Sequence, residues 1–458
     1  MRWPSSSPGR SVILTEHGRD VTGWNRRDFL PRVFRIRLRV TGEAECGVGD
    51  RGLMTSSAQP VSDTDLDAVF APIYADIAAG AVEREIDRRL AHDEVRRLRA
   101  ARFGALRVPV EYGGYGASVR QLFRQLIELA AAESNLPQAL RVHFVFVEDQ
   151  LLAEDGPVRE EWLRKVSQGT LVGNAITEPG VGAVDRYRTR LTQSGDGWLL
   201  DGTKYYSTGS LYADHILVAA DRDGERVSVL VDAEAEGVRQ HDDWDGFGQR
   251  LTASGTTEFT DVAVAQDRIL GPGYGDAGAT YSTSYLQLFQ LAVLAGIAQR
   301  AERDTREWVA ARRRGYTHSA ADLPRHDPLV QQVIGRLSAA AFGARASVLA
   351  VADVLDEVLA AGATEEQGLI DAELAAAQAQ LGVIDTVLTA TTQLFEVGGA
   401  SITSEGLRLD RHWRNARTVS VHNPAIQKAR AIGDHLLNGT ALPFAWSAGE
   451  RKPVEGAV

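Results

Sequence analysis

Apolar residues recur at three- and four-residue spacing across Asp65 to Ala81, Arg84 to Ala101 and Val119 to Ala132, and this period predicts helices. From about residue 170 to 270 the period changes. Trp198-Leu199-Leu200 and Lys204-Tyr205-Tyr206 flank Asp201-Gly202, and His215 to Ala220 and Arg226 to Val231 flank Asp223-Gly224. Both patterns read as hairpins, and Phe259 to Val264 reads as a further strand. Beyond residue 281 the helical period returns in two long stripes. One runs Ile334, Leu337, Ala341, Ala344, Val348, Val351, Leu355 and Val358; the other runs Leu374, Ala377, Leu381, Ile384, Leu388, Thr391 and Phe395. Such stripes predict long antiparallel helices in a bundle, and their alanines allow a second bundle to pack closely. The expected architecture is mainly α with a central β domain. It divides into a helical domain over 54–168, a β-barrel or sandwich over 169–275, a helical bundle over 276–440 and a tail over 441–458.

Composition narrows the class. The chain has 458 residues and a net charge of −11, which argues against non-specific nucleic-acid binding. No run of about 18 apolar residues is apparent, so no membrane span is expected. A single cysteine, Cys46, excludes an internal disulfide and a multi-cysteine metal site, and no metal is expected. Beyond Met54 the chain contains neither Cys nor Met. Drift in an Ala- and Arg-rich sequence explains this; so does economy of sulfur, or resistance to self-oxidation.

Residues 1–53 differ from the rest, with ten arginines against six acidic residues, a net of +4 that leaves −15 for the remainder. Asn25-Arg26-Arg27-Asp28-Phe29-Leu30 resembles a twin-arginine export motif, but charge interrupts the Pro31–Arg39 stretch that should be apolar. Residues 1–53 are expected to be a disordered extension or translated sequence upstream of a start at Met54. Glu111-Tyr112-Gly113-Gly114-Tyr115-Gly116 lacks the strand–loop–helix context of a dinucleotide loop and reads as a turn. Gly271-Pro272-Gly273-Tyr274-Gly275 reads as a linker.

Several strings, in order, carry a family likeness. They are Gly173-Asn174-Ala175 with Thr177-Glu178-Pro179-Gly180, then Tyr206-Ser207-Thr208-Gly209, then Asp242 to Arg250 with Thr252-Ala253-Ser254-Gly255-Thr256. Asp410 to Thr418 and Val421-His422-Asn423-Pro424 complete the set. Over roughly 64–440 the chain resembles the acyl-CoA dehydrogenase superfamily, most nearly its flavin-dependent monooxygenases of sulfur metabolism. Many dehydrogenases of that superfamily carry a catalytic Glu in the late loop; here Val421 and His422 stand there. Glu178-Pro179-Gly180-Val181-Gly182 keeps a dehydrogenase-like form, so substrate identity does not carry over.

The resemblance implies that Tyr206 packs on a flavin ring, Thr208 hydrogen-bonds its N5, and Thr177 and Ser207 belong to the same flavin-contacting segments. It also implies that Asn174, Thr208 and His422 surround the reactive edge, which His143 faces from the helical domain. For His143 a buried core histidine is an equal reading; for His422, a helix-start residue before Pro424 is the rival. Arg314, in Arg312-Arg313-Arg314, matches an arginine that contacts flavin phosphates across a subunit interface, with a solvated charge run as the rival.

The implied enzyme is a cytoplasmic homotetramer. It would take reduced FMN (FAD as the alternative) from a separate NAD(P)H-dependent reductase, react it with O2 to a C4a-hydroperoxyflavin, and oxygenate a small molecule, first at sulfur. An amine or amino-sugar N-oxygenase, a dehydrogenase with a relocated base, and a degenerate flavin-binding scaffold are the alternatives. The residue types agree: oxygen transfer needs a dry pocket with neutral donors, and a nearby carboxylate would oppose a peroxide anion.

Overall fold

The computed structural model describes residues 61–178, 187–272, 280–423 and 425–443. The expectations for residues 1–53, for Pro179 to Gly182, for Pro424 and for much of the linker and tail lie outside these.

Six helices form the first block: α1 (Asp63–Ala79), α2 (Ala81–Asp87), α3 (His92–Ala100), α4 (Val119–Ala132), α5 (Asn135–Leu152) and α6 (Pro157–Ser167). Ser62 and Asp65 start α1 with reciprocal side-chain-to-backbone bonds, and Ser118 with Gln121 does the same for α4. The helix expected over Arg84–Ala101 is two helices. Arg84, 1 % exposed, turns inward to Glu94 (2.9 Å), Glu133 (3.2 Å) and the Ile77 carbonyl (2.6 Å), and Arg88 breaks the chain at φ 49°. A buried guanidinium needs such partners, and meeting them outweighs a continuous helical ladder.

Eight strands follow: β1 (Val172–Ala175), β2 (Arg190–Ser194), β3 (Gly197–Lys204), β4 (His215–Arg222), β5 (Glu225–Asp232), β6 (Val238–Gln240), β7 (Thr257–Val264) and β8 (Ile269–Pro272). They join in one mixed sheet of order β6-β7-β3-β2-β4-β5-β8, with β1 added parallel to β4. Asp223-Gly224 closes the β4–β5 hairpin as expected, both residues at positive φ. Asp201-Gly202 does not close one. It lies inside β3 at a register shift against β7, while Ser194 pairs Gly197 across the true turn. Gly202 has φ 151°, and a Cβ there would sit 2.4 Å from Thr189 Oγ1, so its glycine serves a close approach rather than a turn.

The last block holds α7 (Tyr281–Ala311), α8 (Pro328–Ala360), α9 (Glu366–Gln393), α10 (Asp410–Ser420) and α11 (Ala425–Asn438). From Tyr281 to Ala298 all but one residue of α7 is buried, because α4, α5, α8, α9 and α10 surround it. Leu337, Ala344, Val348, Val351, Leu355 and Val358 are buried within the chain's own core. Full burial of each large side chain contributes about 1.5–3 kcal/mol. The α8 stripe read from the sequence therefore packs inside the protomer. A different face stays open, through Gly335, Ala339, Phe342, Ala346 and Ala350, with Phe342 76 % exposed. Among the described residues, α8 alone is long and apolar enough by composition to cross a membrane; here it packs on α4, α7 and α9.

Candidate functional site

Helix α5 is the element on which the three blocks meet. At its start, Asn135 Oδ1 accepts the Leu251 N–H (3.1 Å), and Asn415 of α10 bridges Ser134 Oγ (3.1 Å) and the Gln249 N–H (2.6 Å). One turn on, Gly209 lies so near the Ala139 carbonyl that a Cβ would come within 2.2 Å; its φ is +80°. Only glycine satisfies both constraints. Arg141 Nη2 reaches His422 Nε2 at 3.3 Å. Val142 and Phe146 pack with Val172 of β1, whereas Ala175 joins the core of the sheet. Strand alternation therefore places Asn174 on the α5 side with Val172. The Gln138–Val142 stretch of α5 thus gathers the Thr208–Gly209 turn, Asn174 and His422.

Between β3 and β4, Tyr206 is held at φ 56°, a conformation rarely adopted by an aromatic residue. The Thr208 N–H donates to the Tyr206 carbonyl (2.7 Å), and the Ser207 N–H donates to the Gly255 carbonyl (3.0 Å). Tyr206 is thereby turned outward, 52 % exposed, with its ring edge-on to Trp244 at 5.6 Å. The Thr208 hydroxyl shares a 2.8 Å hydrogen bond with Ser254, which shares one of 2.6 Å with Thr252. Ser207 is fully buried within the protomer, its hydroxyl without a hydrogen-bond partner among the described residues. Thr177 contributes its carbonyl to the Tyr205 N–H (2.8 Å).

The late loop is pinned from below. Asn423 Nδ2 donates to Gln287 Oε1 (2.8 Å) and Gln290 Oε1 (3.0 Å), and its carbonyl accepts from Gln380 (3.1 Å). His422 is accessible, yet enough protein surrounds its ring that desolvation, then the Arg141 charge, lowers its pKa to about 3. A guanidinium only donates, so Nε2 accepts and the ring proton is on Nδ1. His422 is a neutral hydrogen-bonding group at neutral pH, not the proton exchanger that its residue type suggests.

Two expected site residues fall elsewhere. His143 is completely buried; one ring nitrogen meets the Gly104 carbonyl at 3.0 Å, and Nδ1 accepts the Val172 N–H at 3.3 Å. Both nitrogens are engaged, and desolvation lowers the ring to about 4. His143 ties α5 to β1 and offers no atom to a flavin; the core reading holds. Arg314 is exposed beyond the end of α7. From Gln290, which touches the late loop, α7 runs on for some twenty residues, about 30 Å. Within one protomer Arg314 is remote from the cluster.

Other motif residues are fasteners. Arg411, His412 and Arg300 converge on Asp304 at 2.6, 2.9 and 2.7 Å. Arg414 joins Glu85 (2.7 Å) to the Phe247 carbonyl (2.8 Å), and Trp413 stacks on Phe247. Glu178 binds Lys204 (2.6 Å) and the N–H groups of Arg188 (2.7 Å) and Thr189 (2.9 Å). Desolvation raises Glu178, but these partners outweigh it and hold the carboxyl below its ordinary value; desolvation lowers Lys204 to about 8. Glu178 is a structural anion. Asn423 and Ser254 entered the sequence reading only as members of the family strings, without a role, and Arg141 did not enter it; the four- and three-residue spacing of Ser134, Gln138 and Arg141, polar on an apolar helix, is the signal that could have found it.

The residues fit a flavin. The Asn174 and Gln138 side-chain oxygens are buried without a protein partner, as donors on a bound ring would require. Thr208 and Asn174 are neutral polar groups, and the exposed Tyr206 with the half-buried Trp244 provides aromatic surface.

Residues 173–262 match the acyl-CoA dehydrogenase middle domain and residues 288–426 its C-terminal domain. The chain belongs to the acyl-CoA dehydrogenase family. It is 29 % identical over 397 residues to a dibenzothiophene monooxygenase of Rhodococcus erythropolis, covering 82 % of this chain and 94 % of that one. A probable FMNH2-dependent monooxygenase, SfnC, of Pseudomonas putida is 27 % identical over 381 residues, covering 81 % and 94 %. The structure of methanesulfinate monooxygenase MsuC from Pseudomonas fluorescens superimposes with a TM-score of 0.75 at 28 % identity, covering 82 % and 98 %.

Proposed function

We propose that this chain is the oxygenase of a two-component, reduced-FMN-dependent monooxygenase acting on a small organosulfur compound. The observation that carries the reading is the neutral, hydrogen-bonded His422 in the late loop, beside Thr208 and Asn174. The three relatives, monooxygenases by name, support it. Bound FMNH2 would supply the electrons that activate O2. Thr208, its hydroxyl oriented by Ser254, would bond the ring edge, and Asn174 would present its amide to the ring. His422 would stand as a neutral polar group beside the oxygen being transferred, its ring oriented by Arg141. Tyr206 would shield the ring from water.

A separate NAD(P)H-dependent reductase would deliver the flavin, in the cytoplasm. The open α8 face suits a homotetramer, in which Arg314 of a neighbouring copy would bind the FMN phosphate. The test is incubation with FMN, an unrelated NADH-dependent flavin reductase, 18O2 and a panel of sulfides, sulfoxides and sulfinates. One labelled oxygen should appear in the product. Reduction of bound flavin by an acyl-CoA, with no labelled product from any sulfur compound, would overturn the reading.

A further inference from the structure

Thr208, Ser254 and Thr252 form a chain of three hydroxyls behind the wall proposed to meet the flavin. Thr208 Oγ1 lies 2.8 Å from Ser254 Oγ, Ser254 Oγ lies 2.6 Å from Thr252 Oγ1, and Thr252 Oγ1 lies 2.9 Å from the Gln249 carbonyl. At the other end Thr208 Oγ1 lies 3.3 Å from the Tyr206 carbonyl, which already accepts the Thr208 N–H at 2.7 Å. Both ends are carbonyls, and a carbonyl only accepts. Among the described residues no N–H donates to any of the three hydroxyls. The arrangement that fills the short contacts runs from Thr208 to Ser254, Thr252 and Gln249. In every other arrangement that uses all three protons, Thr208 donates to Tyr206. Either way the Thr208 proton turns into the protein, and its free lone pair faces outward.

The chain is held in place. Thr252 and Ser254 are 2 % and 8 % exposed. On the same loop Gln249 and Ala253 stand at φ 54° and 52°, in the left-handed region, and the Gln249 N–H is tied to Asn415 of α10. Residues other than glycine persist there where their surroundings fix them. The Gly209 N–H donates to the carbonyls of Thr252 (3.0 Å) and Ala253 (3.1 Å), which locks the loop to the Thr208–Gly209 turn.

We propose that Ser254 and Thr252 are positioning residues that make the Thr208 hydroxyl an acceptor at the flavin edge, so that the site distinguishes reduced from oxidised FMN. This rests on the monooxygenase reading, in which Thr208 bonds the ring edge beside the oxygen being transferred. On that edge N5 carries a hydrogen in FMNH2 and only a lone pair in FMN. An acceptor therefore pairs with the reduced ring and opposes the oxidised one. Asn174 and Gln138 do not enforce this, because an amide can turn either end toward the ring. The hydroxyl chain, closed by carbonyls, cannot turn the Thr208 proton outward without losing a contact. The site then releases the FMN left by one turnover and takes up FMNH2 from a solution that holds both.

The experiment measures the Kd of FMN and, without oxygen, of FMNH2 for the full-length protein by tryptophan fluorescence, together with the midpoint potential of the bound flavin. FMNH2 should bind more tightly than FMN by about tenfold or more, which places the bound potential about 30 mV or more above that of free FMN. Ser254→Ala leaves the Thr208 proton only the long contact to Tyr206 and frees it for N5 of the oxidised ring. FMN affinity should then rise about three- to tenfold, as for one neutral hydrogen bond, with FMNH2 affinity kept. Thr208→Val should narrow the ratio from the other side, by loss of FMNH2 affinity alone. Ser254→Thr should keep the parent's ratio. A purely structural role would weaken both flavins in Ser254→Ala and leave their ratio as it was. That result overturns the proposal, as does equal affinity of the parent protein for the two flavins. Discrimination that depends on Ser254, with no sulfur compound oxygenated, would remove the monooxygenase reading and leave the role of the hydroxyl chain standing. Oxygenation of a sulfur compound with a ratio indifferent to Ser254 would do the reverse.

Discussion

Asn423 Nδ2 donates to Gln287 Oε1 at 2.8 Å, so the loop that presents His422 is anchored in the middle of the most buried helix. Asn423→Ala would leave the acceptors of Gln287 and Gln290 unpaired, at a cost of about 1–3 kcal/mol. The variant should fold, bind FMN with ordinary affinity and lose about tenfold in coupled turnover, because His422 loses its fixed position. Product formed per FMNH2 consumed is the measurement. Unaltered coupling would show that the loop holds its shape without this anchor.

His422→Ala should keep FMN and lose on the order of a hundredfold in product, with the flavin's electrons appearing as H2O2. The ring is already neutral at pH 6 to 8, so coupling should show no inflection from His422 in that range. An inflection near pH 6.5 that disappears in His422→Ala would contradict this.

His143 links stability to pH. Its folded pKa, about 4, lies below the ordinary value of 6.5. Between these values the unfolded chain binds a proton that the folded protein does not. The contribution is whole above pH 6.5 and is lost as pH falls toward 4, by about 1.4 kcal/mol per pH unit at most. His143→Gln should be less stable at pH 7 but less sensitive to acid across that window. Urea unfolding at several pH values compares the slopes; parallel slopes would refute the linkage.

Lys204 and Glu178 form an ion pair whose side chains are 0 % and 3 % exposed. Lys204→Met strands a buried carboxylate and should cost about 3–5 kcal/mol. Lys204→Met with Glu178→Leu should recover much of that loss in chemical denaturation. A single variant as stable as the parent would show that water reaches the pair.

The open α8 face should be covered by a second copy. Phe342→Glu, at its centre, should reduce a tetramer to smaller species in light scattering at micromolar concentration without changing helix content. A monomeric parent protein would remove this assembly.

The hydrophobic period along the chain determined the order of helices, sheet and bundle, because burial of a helix stripe or a strand face is a local, repeating requirement. It placed α4 at Val119–Ala132, the Asp223-Gly224 turn and the α8 stripe. The family likeness of the strings around them brought Thr208, Asn174 and His422 under suspicion. Period and residue type do not reveal what a side chain touches. Asp201-Gly202 reads as a turn, yet Thr189, thirteen residues before Gly202 in sequence, decided that Gly202 sits within a strand. His143 and His422 are both histidines beside apolar neighbours; the Gly104 carbonyl and the Val172 N–H consumed one, and Arg141 and Asn423 positioned the other. Arg141 gave only its helical spacing from Gln138 and Ser134 as a signal in the sequence, because a charge on a helix is ordinary until folding places it against the late loop, 281 residues away.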